Sequence, residues 1–273
     1  MRVATWNVNS IRARAERVVA FLERSDTDVL AIQETKCRDE QFPAAVFTEA
    51  GYEVAHVGHS QWNGVAILSR IGLKDVVTEF CGQPGFAKDA DTLLPPPVEA
   101  RALGATCGGV RLWSLYVPNG RATCDPHYAY KLAWLRALQE QAAEWLLADQ
   151  AAQIALLGDW NVIPQDTDVW DVADYARAFP GATHITTPER AAFAAFAAAG
   201  YREVSREHQP EPHTYTYWDY QGLAFPTNKG MRIDFAWASP ALADRVSAVV
   251  IDRDERKGKG ASDHVPVILD LAD

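Results

Sequence analysis

Ile154-Ala155-Leu156-Leu157-Gly158-Asp159-Trp160-Asn161 sets an apolar run directly against a glycine, a carboxylate and an amide. The run is short, unbroken and bounded by a turn residue, as expected of a strand buried in a sheet rather than of a helix. Its polar end carries Asp159 and Asn161 to the rim of that sheet. The same design stands at the N-terminus, where Val3–Val8 is an apolar strand with Asn7 at its end, and again in Val29-Leu30-Ala31-Ile32-Gln33-Glu34, which closes on a carboxylate. Thr5-Trp6-Asn7-Val8 and Asp159-Trp160-Asn161-Val162 echo one another faintly, either by coincidence or because two related halves each place an Asn at a strand end.

Working outward, Ile11–Arg24 carries Ile11, Val18 and Leu22 on one helical face, with Ser10 placed as its N-cap. Tyr52–Val57, Val65–Leu68 and Leu73–Phe80 read as strands, and the Pro-, Gly- and Asp-rich stretch 82–97 as a surface loop. Ala102–Thr106 and Val110–Val117 form a hairpin about Gly108-Gly109. Tyr128–Leu147 is a long amphipathic helix, and Pro188–Ala199 is helical. The last third holds strands at Thr214–Trp218, Ile233–Ala238, Val246–Asp252 and Val265–Leu269. Many strands among few helices imply mixed sheets in a layered α/β or α+β arrangement. The chain contains no G-x-G-x-x-G and no G-x-x-x-x-G-K-[ST], which argues against a doubly wound nucleotide fold.

At 273 residues the chain has room for one large α/β domain or two small ones. Its net charge of −10 counts against a general nucleic-acid binder, because phosphate affinity comes mostly from Lys and Arg, but it leaves room for one basic face or a metal-loaded site. Cys37, Cys81, Cys107 and Cys124 form no C-x-x-C pair and read as reduced thiols of a cytosolic protein. No run approaches the length of a membrane span, and the first residues enter a strand without the apolar core of a signal peptide. The expectation is a cytoplasmic monomer with no membrane partner.

Asn7, Glu34, Asp159, Asn161, Asp234, Asp263 and His264 all fall where strands end. Taken singly, each has a plain reading as a cap or turn residue. Gathered at one crevice they fit a hard cation, which prefers oxygen ligands and keeps several waters.

Here the sequence resembles a known family. Thr5-Trp6-Asn7-Val8-Asn9-Ser10, Gln33-Glu34-Thr35-Lys36, Tyr116-Val117-Pro118-Asn119-Gly120, Gly158-Asp159-Trp160-Asn161, Arg232-Ile233-Asp234 and Ser262-Asp263-His264 are similar, in order, to the motif series of exonuclease III and abasic-site endonucleases. Trp62-Asn63-Gly64-Val65-Ala66 and Tyr217-Trp218-Asp219-Tyr220 add to the likeness, which spans nearly the whole chain. The resemblance implies a single domain over residues 1–273. Its fold would be a four-layered α/β sandwich, with two mixed sheets face to face and helices outside. It also implies Mg²⁺, with Mn²⁺ as a substitute, and leaves open whether one ion binds or two. Glu34 would be the principal ligand with Asn7 and Asp263 beside it, and Asp159 and Asn161 would join them in a two-metal site. Asp159 would orient or deprotonate the attacking water, and Asn161 would hold that water or a phosphoryl oxygen. His264 would meet the scissile phosphate with its tautomer fixed by Asp234, and Tyr116 would stabilise the phosphate or the leaving group. Asn119, Arg121 and Lys131 would contact DNA, and Tyr217, Trp218 and Met231 would wall a pocket for an abasic sugar. Two departures stand out: Tyr217 replaces a more usual Trp or Phe, and Glu99-Ala100-Arg101 stands where Glu-Gly-Arg is expected.

The activity implied is hydrolysis of double-stranded DNA 5′ to abasic sites and at 3′ ends. A phosphoinositide- or sphingomyelin-type phosphodiesterase would share the site, but Arg232-Ile233-Asp234 with Tyr217-Trp218-Asp219-Tyr220 upstream favours the DNA branch. A non-catalytic binding module would have lost Glu34, Asp159 or His264, and all three are present. The oxygen-rich ligand set yields the first prediction: excess chelator abolishes phosphodiesterase activity and added Mg²⁺ restores it. Full turnover in chelator, with no tightly held metal on elemental analysis, would overturn this.

Overall fold

The computed structural model describes residues 1–88 and 95–273. In chain order the principal elements are β1 (Arg2–Asn7), α1 (Ala15–Ser25), β2 (Val29–Gln33), α2 (Ala44–Glu49), β3 (Glu53–Val57), β4 (Val65–Ser69), β5 (Lys74–Val77), β6 (Ala102–Cys107), β7 (Val110–Tyr116) and α3 (Pro126–Ala148). They continue with β8 (Ile154–Asp159), α4 (Val172–Ala178), α5 (Thr187–Ala198), β9 (Arg202–Glu203), α6 (Val204–His208), β10 (Asp234–Ala238), α7 (Pro240–Ala243), β11 (Val246–Ile251) and β12 (Val267–Leu271).

The strands form two six-stranded sheets, ordered β11-β12-β1-β2-β4-β3 and β5-β6-β7-β8-β10-β9. In each, one central parallel pair, β1 with β2 and β7 with β8, is flanked by antiparallel neighbours. The two sheets thus share one pattern of strand directions. The strands bearing Thr5-Trp6-Asn7 and Asp159-Trp160 occupy corresponding central places, so the faint echo in the sequence has an architectural counterpart.

Period-2 alternation assigns each residue to a layer. Val3, Val29, Ala31, Leu112, Ala155, Leu157 and Ala236 meet between the sheets. Their neighbours face outward: Trp6, Leu30 and Ile32 pack on α1 and α2 through Val18, Phe21, Leu22 and Phe47. Trp113, Leu156, Trp160 and Phe235 pack on α3 and α5 through Trp134, Leu138, Phe193 and Phe196. This is the expected four-layered sandwich. Two of the outward Trp residues satisfy their indoles: Trp6 Nε1 donates to the His264 carbonyl at 3.1 Å and Trp160 Nε1 to the Phe235 carbonyl at 3.2 Å.

The Gly108-Gly109 hairpin is present, both glycines having positive φ as a tight turn between paired strands requires. Three expectations are corrected. Ser10 caps no helix: it has φ 93°, its N–H donates to the Glu34 carbonyl at 2.7 Å, and α1 begins only at Ala15. Leu73–Phe80 contracts to β5, an exposed edge strand whose register is broken by a bulge. Thr214–Trp218 is no strand, because only Tyr217 makes bridges, to Met231 and His264. Part of the predicted 82–97 loop, 89–94, lies outside the described residues.

Between α3 and α5, Lys131 and Glu189 form an ion pair with both side chains wholly buried. Removing one partner of such a pair strands the other charge away from water. Glu189→Ala is therefore expected to cost about 3–5 kcal/mol of folding free energy in chemical denaturation. A loss below about 1 kcal/mol, the size of an exposed pair, would show the charge to be solvated.

Candidate active site

The inward-facing rows of both sheets turn polar at the same end. In β1 the row is Val3, Thr5, Asn7; in β8 it is Ala155, Leu157, Asp159; in β7 it is Leu112, Ser114, Tyr116. Across the second sheet Tyr116, Asp159 and Asp234 are direct register partners, so three adjacent strands present one polar row. Glu34 follows β2 in the other sheet, with φ 54°. A left-handed backbone is strained for a glutamate and persists where packing dictates it. Gly64 supplies part of that packing: a Cβ there would lie 2.0 Å from Thr35 Oγ1.

The two sheets meet at one amide. Asn7 Nδ2 donates to Glu34 Oε1 at 2.8 Å and to Asp159 Oδ2 at 2.9 Å. Carboxylate oxygens only accept, so Asn7 must turn its NH₂ toward them. Its Oδ1 meanwhile accepts from the Asn9 N–H at 3.0 Å. Asn7 thus orients the two carboxylates. On the far side of Glu34, Lys36 Nζ lies 2.7 Å from Oε2.

Ligand atoms of Glu34, Asp159 and His264 lie within 4.8 Å of one another. Their protonation separates their roles. Burial pushes Asp159 up, Asp234 and Glu34 add to this against the opposing pull of His264, and its carboxyl sits at about 7. Burial also raises Glu34, but Lys36 and the Asn7 hydrogen bond more than reverse it, leaving the group below its ordinary value and ionised. For His264 burial opposes protonation, yet Asp234 at 2.8 Å from Nδ1, with Asp159 and Asp263, lifts the imidazole to about 10. Its Nε2 lies 3.8 Å from Asp159 Oδ2. A cationic imidazole does not ligate a metal, so the oxygens of Glu34 and Asp159 are the fitting donors for a hard cation.

Around this point opens a cavity of about 1050 Å³. Among the anticipated residues, Glu34, Tyr116, Asn119, Arg121, Asp159, Asn161, Tyr217, Met231, Asp263 and His264 all line it. Asp234 stands behind His264, as expected of a residue that fixes a tautomer. Tyr116 is held from beneath by Arg101, whose guanidinium lies 4.8 Å over its ring and pairs with Glu99 at 2.6 Å. Arg101 therefore supports Tyr116. Burial, with Glu34 nearby, keeps the Tyr116 phenol well above its usual value and so protonated.

Asp263 lines the cavity, its Oδ1 accepting from Asn9 Nδ2 at 3.0 Å. Asn161 Oδ1 accepts from Asn119 Nδ2 at 3.2 Å and lies 3.0 Å from His184 Nε2. Two assignments, those of Lys131 and Trp218, change. Lys131 is no DNA contact, since its ammonium is wholly buried against Glu189 and the carbonyls of Asn161 and Asn119. Trp218 is 1% exposed among Tyr215, Ala224 and Val265 and belongs to the core, not to a pocket wall. Sequence reading passed over His184, which lines the cavity at φ 78°. It lies in an irregular stretch with no neighbouring motif.

A family model described as the Endonuclease/Exonuclease/phosphatase family matches residues 4–264. Exodeoxyribonuclease III of Haemophilus influenzae is 28% identical, across 98% of this chain and 98% of its own. Among solved structures, the 3′ phosphatase NExo from Neisseria, bound to product DNA hairpin, is 32% identical with a TM-score of 0.88 over 99% of each chain. An AP endonuclease from Archaeoglobus fulgidus is 31% identical with a TM-score of 0.87, again over 99% of each chain.

The site predicts that Asp159→Asn, nearly isosteric and still able to meet Asn7, folds normally but slows the chemical step by roughly 10²–10⁴-fold, the contribution of a positioned general base. Single-turnover kinetics read this directly. A rate within a few-fold of wild type would remove Asp159 from the proton transfer.

Proposed function

The chain belongs to the endonuclease/exonuclease/phosphatase family, in its exonuclease III and AP endonuclease branch, and is a hydrolytic DNA repair nuclease; we propose that it is Mg²⁺-dependent, with Mn²⁺ able to substitute, and that it cleaves duplex DNA 5′ to abasic sites and at 3′ ends. The observation that carries this reading is the convergence of Glu34, Asp159 and the Asp234-bound His264 on one cavity. It acts as a single-domain monomer of the cytoplasm in this proposal.

A phosphodiester is anionic, and hydrolysis gathers further charge on its non-bridging oxygens. Glu34 and Asp159 would hold the divalent metal, which when bound supplies positive charge to that anion. The remaining work falls to the chain itself. Asp159, poised near neutrality, accepts the proton of the attacking water as its oxygen bonds to phosphorus. His264 donates from Nε2 to a phosphoryl oxygen, its Nδ1–H held by Asp234. The Asn161 Nδ2 has one N–H on the Val117 carbonyl at 2.9 Å and keeps the other for the phosphate. The protonated Tyr116 hydroxyl donates to the leaving 3′ oxygen as the P–O bond breaks.

Tyr217 and Met231 would wall the recognition pocket. The Tyr217 ring stands edge-on to His264 with centroids 4.9 Å apart. A sugar without a base flips out at less cost than a paired nucleotide and then meets this wall. Tyr217→Ala is expected to slow cleavage at a defined abasic site about tenfold more than trimming of a 3′ end, the worth of one aromatic contact. Product analysis on duplexes carrying one or the other lesion measures the ratio. Equal losses on both would make Tyr217 a general support for His264, and cleavage of a lipid headgroup diester but no DNA would overturn the function itself.

A further inference from the structure

We propose that His184 is a positioning residue that sets Asn161 as a hydrogen-bond donor toward the phosphate, an inference that rests on the proposed DNA phosphodiesterase reading. The Val117 C=O can only accept, and Asn161 Nδ2 lies 2.9 Å from it. That contact identifies the Nδ2 end of the amide and makes the other end, Oδ1, the acceptor. His184 Nε2 sits 3.0 Å from Oδ1 and 3.3 Å from Asn119 Nδ2; the nearer partner is an acceptor, which assigns the proton to Nε2. The imidazole Nδ1 is then the bare nitrogen, with the hydroxyls of Tyr175 at 3.1 Å and Thr183 at 3.2 Å beside it. Asn119 Nδ2 also donates to Oδ1, at 3.2 Å, while its own Oδ1 takes the Arg121 N–H at 3.1 Å. With both lone pairs of Asn161 Oδ1 occupied, the amide has one free group, an N–H, and no acceptor to offer a cation or an attacking water.

The support continues below. Lys131 Nζ donates to the Asn161 carbonyl at 2.5 Å and to the Asn119 carbonyl at 3.3 Å, and Glu189 Oε1 accepts both from Lys131 and from the His184 backbone N–H. Lys131 and Glu189 thus hold the backbones of the two asparagines and of His184. His184 holds the Asn161 side chain. Burial and the Lys131 charge keep its imidazole neutral, well below the ordinary histidine range.

The test uses His184→Gln and His184→Leu in the full chain, each alone and combined with Asn161→Ala. Glutamine places an N–H donor as many bonds from Cα as histidine Nε2, and leucine places none. Both share the strain of φ 78°, so they should melt together. Leucine is expected to lower kcat roughly tenfold, the scale of one hydrogen bond, with little change in KM, and glutamine to recover most of that loss. In the Asn161→Ala background, His184→Leu should cost nothing further. Equal losses for Gln and Leu, or an undiminished Leu effect without Asn161, would overturn the proposal. Ring ¹⁵N shifts of His184 read the same claim without any substrate. A neutral ring protonated at Nε2 is expected, and one protonated at Nδ1 or at both nitrogens overturns the proposal even if the protein cleaves DNA. If the ring is as expected but no DNA is cleaved, the failure lies with the function and not with the positioning.

Discussion

The bond pair from Asn7 to Glu34 and Asp159 is the constraint on which the site depends. Two carboxylates, one from each sheet, share the two N–H groups of a single buried amide. Away from water, like charges this close repel strongly, and the protein answers by giving them different environments. Glu34 has Lys36 at 2.7 Å and stays ionised. Asp159 faces Asp234 and Glu34 in a buried setting and is held near neutrality. Both carboxylates offer oxygens to a cation, and Asp159 is in addition suited to trade a proton with water.

This division needs the sandwich. Asp159 and Asp234 are register partners on antiparallel strands, and Tyr116 is the partner of Asp159 on the parallel side. A slip of one residue in β8 would send Asp159 into the helical layer and Trp160 between the sheets. Trp160, packed edge-on to Phe193 and Phe196, pins that register from outside, as Trp6 against Phe21 does for β1. Packing on the outer faces therefore fixes chemistry on the inner ones.

The cavity floor shows the same economy in its polar groups. Lys131, Glu189, His184, Asn119 and Asn161 form one network in which charges are paired and the amides are orientated by neighbours that can only donate or only accept. Such networks are costly to leave half satisfied, so they tend to hold one geometry.

The sequence by itself determined the layers and most of the chemistry. Short apolar runs such as Val3–Val8 and Ile154–Leu157, and the polar residues that stand where such strands end, marked Glu34, Asp159, Asp234 and His264 as residues that meet at one crevice. The likeness in ordered motifs supplied their roles. Tertiary structure alone decided the fates of Lys131 and Trp218, whose residue types suit a DNA surface as well as an interior. It also decided that Ser10 turns the chain instead of capping a helix, and that Asn7 and Asn161 are donors. His184 had no legible signal: apart from the adjacent Thr183, its side-chain partners lie 9 to 65 residues away, and the bond that defines it runs to an amide whose orientation is set by the carbonyl of Val117. Local pattern encodes which face a residue takes, but the partner across a cavity, and so the direction of each hydrogen bond, exists only once the two sheets have closed on one another.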